Sequence, residues 1–527
     1  MKQSSTRLVI SLIIGLVSVI LPAAGHSAAQ GAPPWSRKAD ESLLAATAGG
    51  ASAEFLVVLN EQADLSAAVD VRNKTARGRL VYETLTAVAT RNQAPLRALL
   101  DARGVEYRPY WVHNMIWVRG GRELVQTLAA RTDVSHVYAN TWQRAQLPLQ
   151  GEPPAEERNP GDIQWNIALV NAPAVWAKGF TGQGAVIGGQ DTGYDWQHPA
   201  LMRQYRGWNG SAADHNYNWH DAIHQEDPAE GSTNPCGLDA PAPCDDKGHG
   251  THTMGTMVGA TDDMRIGMAP GAQWIGCRNM ESNWGSPVTY AECYEWFIAP
   301  YPIGGDSFTD GDPAKAPHVI SNSWSCPEIE GCTTIDILHQ VVEAVTAAGI
   351  VTVHSAGNSG PSCNSIDTPP ALYDASFTVG ATTRYDDIAT FSSRGPVTAD
   401  GSGRLKPDIV APGQNVLSSY PGGQYAYLDG TSMAAPHVAG LVGLLIAADP
   451  RLAGDVAQLE SIITQSALHL TSDQGCGADS PTSVPNNVYG WGRIDALAAF
   501  KLLDVPEFPY RKWLSVILGP EDVISND

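Results

Sequence analysis

Positive charge is scarce in this sequence. Its 527 residues hold 33 Lys and Arg against 55 Asp and Glu, a formal net charge of −22. Such an excess of carboxylates repels phosphate backbones and anionic membrane surfaces, which argues against nucleic acid as a partner. Charged residues of either sign make up only 17% of the chain, while glycine (52) and proline (36) are plentiful. That balance excludes a coiled coil or a disordered chain and fits a loop-rich globular protein. Cysteine is absent before Cys236, and all eight cysteines stand from there onward. Their number leaves the pairing open, although the near neighbours Cys236 with Cys244 and Cys326 with Cys332 suit short surface excursions. Long apolar runs are lacking after the first segment, and there is no internal repeat. That first segment carries Lys2 and Arg7, an apolar run Leu8 to Leu21, then Pro22 and the small residues Ala23 to Ala29. It reads as a secretory signal peptide over 1–29, since the run falls short of the roughly 20 residues a bilayer span needs. A secreted, extracellular protein with no membrane span in its mature form follows, with disulfides permitted. A monomer is expected.

The chain is too long for one compact core, so a main domain and at least one smaller unit are expected. Between Ala53 and Asn140 the pattern gives a strand at Phe55 to Leu59 and a helix from Leu80 to Ala102 interrupted near Pro95. Two strands follow within Val105 to Val118, joined near His113 and Asn114, then a helix at Arg122 to Ala130 and a strand at Val134 to Tyr138. A β-α-β-β-α-β order is the ferredoxin-like α+β arrangement. The polar, proline-bearing stretch Gln146 to Gly161 reads as an exposed, protease-sensitive linker. From Ile163 to Leu503, short buried strands (Ala185 to Gly188, Trp274 to Cys277, His318 to Ile320, Ile350 to His354, Phe377 to Val379) alternate with helical patterns such as Ile335 to Ala348. This is an α/β domain with a mostly parallel central sheet, whose functional residues gather at strand carboxyl ends. The tail at 504–527 has no assignable pattern.

Three segments carry chemistry. Gly430-Thr431-Ser432-Met433-Ala434 opens a helix of small and apolar residues, so Ser432 sits near the positive end of a buried helix. Such a serine is a nucleophile only beside a base, and a Gly-Thr-Ser triplet alone would more readily be an ordinary helix cap. Gly248-His249-Gly250-Thr251-His252 supplies the base candidate, with glycines that let the backbone bend tightly around His249. His249 and His252 are alternatively a metal pair, although no accompanying glutamate and third ligand are evident. Asp191 ends the apolar strand Ala185 to Gln190, where a carboxylate holds an imidazole in the correct tautomer. Asp195 is its rival but lies too far past the strand end.

Asp191-Thr192-Gly193, His249-Gly250-Thr251-His252 and Gly430-Thr431-Ser432-Met433-Ala434 resemble the three signature blocks of the subtilisin-like serine proteases, in the order that subtilisin itself shows. Gly193 to Leu201, Arg206-Gly207-Trp208-Asn209, Trp219-His220-Asp221-Ala222 and Trp296 to Pro300 resemble the bacillopeptidase F-like branch of that family. The likeness covers Ile163 to Leu503, and Ala53 to Asn140 is similar to the family's inhibitory propeptide. The resemblance implies catalysis by Asp191, His249 and Ser432, with Asn358 in the oxyanion hole. It also implies a substrate cleft lined by Ser323, Trp324 and Ser325 on one side and Ser355, Ala356 and Gly357 on the other. Ala200 stands where many members carry a calcium-ligating aspartate. A structural calcium is therefore left unassigned, no residue is named as a metal ligand, and Asp245 and Asp246 read as solvated loop carboxylates.

The resulting expectation is a secreted serine endopeptidase acting on protein or peptide substrates, with no cofactor required for the chemistry. Its parts are a signal peptide (1–29), an inhibitory and chaperoning propeptide (30–145), a processing linker (146–161), a peptidase domain (162–503) and a tail (504–527). Self-cleavage is expected within Asn140 to Gly161. The alternatives are a catalytically silent binding protein of the same fold and a metal-dependent hydrolase using His249 and His252.

Overall fold

In a computed structural model the described residues are 33–144, 149–151, 163–226, 233–326, 332 and 336–503. The expected signal peptide, the 504–527 tail and most of the 146–161 linker lie outside them. Residues 52–139 form the expected small unit. Its strands are β1 (Ser52–Leu59), β2 (Tyr107–Tyr110), β3 (Met115–Gly121) and β4 (Val134–Ala139), in the antiparallel order β2-β3-β1-β4. Helices α1 (Lys74–Ala102) and α2 (Arg122–Ala129) complete a ferredoxin-like topology. Alternation along β1 sorts the side chains. Phe55, Val57 and Leu59 pack with Leu96, Leu100 and Leu128 in the unit's own core, whereas Leu56 and Val58 join a second core shared with the larger domain. The expected interruption near Pro95 does not occur, and α1 runs unbroken through 29 residues. Pro95 is exposed, so the carbonyl it leaves unpaired meets water while Ala89, Gln93, Leu96 and Leu100 pack on the opposite side.

Two short pairings tie the following stretch to the larger domain. Strand β5 (Gln143–Arg144) and strand β6 (Leu149–Gln150) each pair with a strand defined below. The larger domain is built on seven parallel strands. They are β7 (Val186–Asp191), β8 (Trp219–Asp221), β9 (Gln273–Arg278), β11 (Val319–Asn322), β12 (Val351–Ser355), β13 (Phe377–Thr382) and β14 (Ile409–Pro412), ordered β14-β13-β12-β11-β7-β9-β8. All five strands expected in this domain are present, joined by the short edge strands β8 and β14. Helices α3 (His249–Val258) and α6 (Thr431–Ala448) cover one face, and α4 (Pro287–Ile298) and α5 (His339–Ala347) the other. Strand β10 (Trp284–Gly285) pairs with β5, and the hairpin β15 (Val416–Tyr420) and β16 (Gln424–Asp429) takes up β6. The order of connection reverses between β7 and β11, which opens a crevice at their carboxyl ends.

Helix α6 corrects one expectation. By length and composition it qualifies as a membrane span, at a mean hydropathy of 1.6, yet 94% of it is buried inside the protein, where it is the central core helix. Four disulfides are present. The expected Cys236–Cys244 and Cys326–Cys332 are joined by Cys277–Cys293 and Cys363–Cys476, which the sequence left open.

Candidate active site

Asp191 is the last residue of β7 and opens into the crevice; it is 1% exposed. One of its carboxylate oxygens accepts from Thr192 N (2.7 Å) and from His249 Nδ1 (2.7 Å), and the other from Thr253 Oγ1 (3.4 Å). His249 begins α3. Gly248 precedes it at φ +86°, and a β-carbon there would lie 2.4 Å from the Tyr420 ring, so both the turn and the packing require glycine. Burial opposes charging the His249 imidazole, but the Asp191 carboxylate outweighs it, and the pKa is raised above its ordinary value. The bond from Asp191 fixes the tautomer with hydrogen on Nδ1, which leaves Nε2 as an acceptor, buried and with no hydrogen-bond partner.

Ser432 lies in the first turn of α6, where its backbone N–H has no intrahelical carbonyl to bond. Its hydroxyl donates to the Ser323 carbonyl (3.1 Å), and the Ser323 hydroxyl donates back to the Ser432 carbonyl (3.0 Å). Helices α3 and α6 pack directly on one another. Asn358 follows β12. Its Oδ1 accepts from both Thr431 N (2.9 Å) and Thr431 Oγ1 (3.0 Å), so the amide is clamped by its oxygen and its NH₂ stays uncommitted to those groups. Thr431 Oγ1 also accepts from Gly357 N (3.2 Å), which locks the loop to the helix mouth.

A comparison with protein families matches residues 182–492 to the subtilase family model. The chain belongs to the subtilase family. It is similar to bacillopeptidase F of Bacillus subtilis (strain 168), at 35% identity over 74% of this chain and 26% of that protein, so it spans about a quarter of that relative's length. It is also similar to subtilisin Savinase of Lederbergia lenta, at 31% identity over 64% of this chain and 98% of that protein. The alkaline protease of Alkalihalobacillus alcalophilus matches at 31% over 64% of this chain and 70% of that protein. These likenesses place this subtilase in a bacillopeptidase F-like branch of the family.

One expectation about this subtilase's carboxylates is overturned. Asp245 and Asp246 are not solvated. Asp245 accepts from Lys247 N (3.0 Å), Gly248 N (2.7 Å) and Thr251 N (2.9 Å), so it caps the start of the helix that carries His249. It also takes Thr192 Oγ1 (2.9 Å), joining that helix to the end of β7. The Asp246 side chain is wholly buried and pairs with Arg278 (3.3 Å); burial pushes its pKa up to about 6 despite that cation. His252 Nε2 faces the carbonyls of Val416 (3.1 Å) and Ala426 (3.0 Å), and burial pushes its pKa down to about 3. Among the described residues no group of three or more His, Cys, Asp or Glu is placed to hold a metal ion.

The sequence-named cleft residues meet at the same crevice. Ser323, Ser355 and Ala356 are buried, Ser325 is half-buried, and Trp324, 3% exposed, stacks on Tyr290 of α4 at 4.0 Å between ring centroids. The N-terminal unit sits beside them. Tyr110 donates its hydroxyl to Glu292 (2.7 Å), and the backbone N–H groups of Trp111 and Val112 both donate to one oxygen of Glu295 (2.7 and 3.0 Å), all on α4. Arg77 donates to the carbonyls of Thr346 (3.2 Å) and Ala347 (2.6 Å), capping the carboxyl end of α5. Asp245 was misread from the sequence, and Glu292, Glu295 and the clamping role of Thr431 were not singled out; their roles depend on contacts between distant segments.

Proposed function

We propose that this subtilase is a secreted serine endopeptidase made as a self-processing zymogen, with Asp191, His249 and Ser432 as its triad. The observation that carries the reading is the buried Asp191–His249 pair with its unpartnered Nε2, set against the helix whose mouth bears Ser432. His249 takes the Ser432 proton as the hydroxyl turns away from the Ser323 carbonyl, and catalytic hydrogen bonds of this kind commonly tighten only once substrate is bound. Ser432 attacks a peptide carbonyl, and water then hydrolyses the acyl-enzyme. Asp191 stays ionised and supports the imidazolium. Asn358, clamped by Thr431, and the free Ser432 N–H would receive the oxyanion. The chemistry requires no cofactor.

A substrate would lie extended against β10, as β5 does here, with Ser323 to Ser325 and Ser355 to Gly357 around its side chains. The N-terminal unit would act as the inhibitory propeptide. Strand β5 is paired with β10 and strand β6 with the hairpin that leads into the Ser432 helix, so the cut is proposed between Arg144 and Leu149. The test is expression of the wild type and Ser432→Ala with a fluorophosphonate label. The wild type should mature and take the label, and Ser432→Ala should accumulate as an unlabelled, uncut precursor. Normal maturation of Ser432→Ala would end the self-processing claim. Peptidase activity lost to a chelator but not to a serine-directed reagent would favour the metal alternative.

A further inference from the structure

Three buried amides lie side by side at the carboxyl ends of the strands that carry the site. Gln190, Asn279 and Asn322 are each fully buried. Gln190 and Asn322 are register partners on β7 and β11, and Asn279 follows β9. Their side chains join head to tail. Asn279 Nδ2 donates to Gln190 Oε1 (3.1 Å), Gln190 Nε2 to Asn322 Oδ1 (2.6 Å), and Asn322 Nδ2 to the Val353 carbonyl on β12 (3.0 Å). The direction of the run is dictated from one end. With Asn322 Nδ2 committed to a carbonyl, its Oδ1 faces Gln190, which must answer with Nε2 and so present Oε1 to Asn279.

The run crosses four strands, on which Ile275 and Ile320 lie in an apolar core and the buried His354 is the register partner of Asn322. Burying amides costs free energy unless every atom is bonded, and Asn279 Oδ1 has no hydrogen-bond partner. Apolar side chains of similar volume would fill this space at no such cost, so filling the core does not account for the amides. Their neighbours do. Gln190 immediately precedes Asp191, Asn322 immediately precedes Ser323, and Asn279 N donates to the Asp191 carbonyl (3.0 Å). We propose that this amide ladder is a positioning device that fixes the Asp191 carboxylate and the Ser323 carbonyl at one mutual height across the β7–β11 crevice. Gln190, Asn279 and Asn322 then act through Asp191 and Ser323 and touch no substrate. The inference rests on the peptidase reading above.

The test separates positioning from stability. Removing one member orphans its partner, whereas replacing all three by apolar isosteres is nearly neutral for stability. In the mature enzyme, Asn322→Leu alone should lower both Tm and kcat. The triple variant Gln190→Met, Asn279→Leu, Asn322→Leu should regain the wild-type Tm to within about 2 °C. Its kcat per fluorophosphonate-titrated site should stay about tenfold low, with KM within about twofold. The acid limb of its kcat/KM profile should move to lower pH, because a displaced Asp191 supports the imidazolium less. Wild-type kcat and an unmoved limb in the triple variant would overturn the proposal. If the triple variant does not accumulate, Asn279→Leu, at the end of the run with the unbonded acceptor, is read in the same way. It should lower kcat about threefold with KM unchanged, and unchanged kcat would again overturn the proposal. A wild type with neither label nor peptidase activity would instead sink the underlying peptidase reading.

Discussion

The N-terminal unit and the peptidase domain both mix helices with a sheet, yet they differ in what they bury. The unit's antiparallel sheet keeps one face for its own core and gives the other to its neighbour, through Leu56, Val58, Met115 and Trp117. The peptidase domain covers its parallel sheet on both faces and adds four disulfides, whereas the unit has no cysteine. Polar burial divides in the same way. In the unit the buried Gln93 serves backbone and turn, donating to the carbonyls of Tyr110 and Met115. In the peptidase domain the buried polar groups pair at the crevice instead, Asp191 with His249, Asp245 with Thr192 and Asn358 with Thr431. Half of the unit's sheet is thus complete only while docked, which suits a detachable inhibitor. The proposed chemistry sits in the part whose sheet is covered on both faces by its own helices.

The comparison can be broken most sharply at the crevice. Asn358→Ala should cost the loss known for this donor in subtilisin, about 10²–10³-fold in kcat, with KM little changed in steady-state peptide assays. An equal rise in KM with kcat intact would mean that Asn358 only binds substrate. Next in size is the covalent difference. Replacing both Cys363 and Cys476 by alanine opens a cross-link between residues 113 apart in sequence and should lower the stability of the mature enzyme by about 2–4 kcal/mol in urea unfolding. An unchanged midpoint would remove the disulfides from the contrast between the two regions. Smaller again is the docking of the unit. Glu295→Ala leaves the Trp111 and Val112 N–H groups without their acceptor, at a cost of about 1–3 kcal/mol. The propeptide should then hold the mature enzyme roughly 5- to 150-fold less tightly, read as a weaker inhibition constant in trans. Undiminished inhibition would place the hold in the shared apolar core instead.

How much of this was legible in the sequence follows from the same contrast. The triad candidates stand out because an aspartate ending an apolar strand, a histidine between glycines and a serine opening a small-residue helix are each locally odd. The unit could be read only from periodicity, and there a proline misled. Pro95 argued for a break, but a missing hydrogen bond on the solvent side of a helix packed along its other face is tolerated. Strands β8 and β14 escaped notice because three or four residues with Asp221 or Pro412 at their ends carry too little pattern. Asp245 was misread because its loop looks polar and exposed. Only the turn at Gly248 shows that the loop folds back onto the helix start. The amide ladder is invisible for a related reason: Gln190, Asn279 and Asn322 are far apart in sequence and meet only through strand register.

The smallest expected effect tests how burial is used within the peptidase domain itself. His249 and His252 stand one turn apart on α3, both buried, and burial pushes the pKa of each downward. At His252 only the backbone carbonyls of Ala426 and Val416 oppose it, the pKa falls to about 3, and the ring is neutral at neutral pH. At His249 the Asp191 carboxylate reverses the sign and raises the pKa above 6.5. A base acts only when neutral, so activity must rise with pH through that raised value and disappear below it as the imidazole takes a proton. The acid limb of kcat/KM should therefore be a single titration with its midpoint above 6.5, unmoved by His252→Asn. A midpoint at or below 6.5 would mean that the Asp191 bond does not govern the base, and a limb that moved with His252 would merge two imidazoles that the geometry keeps apart.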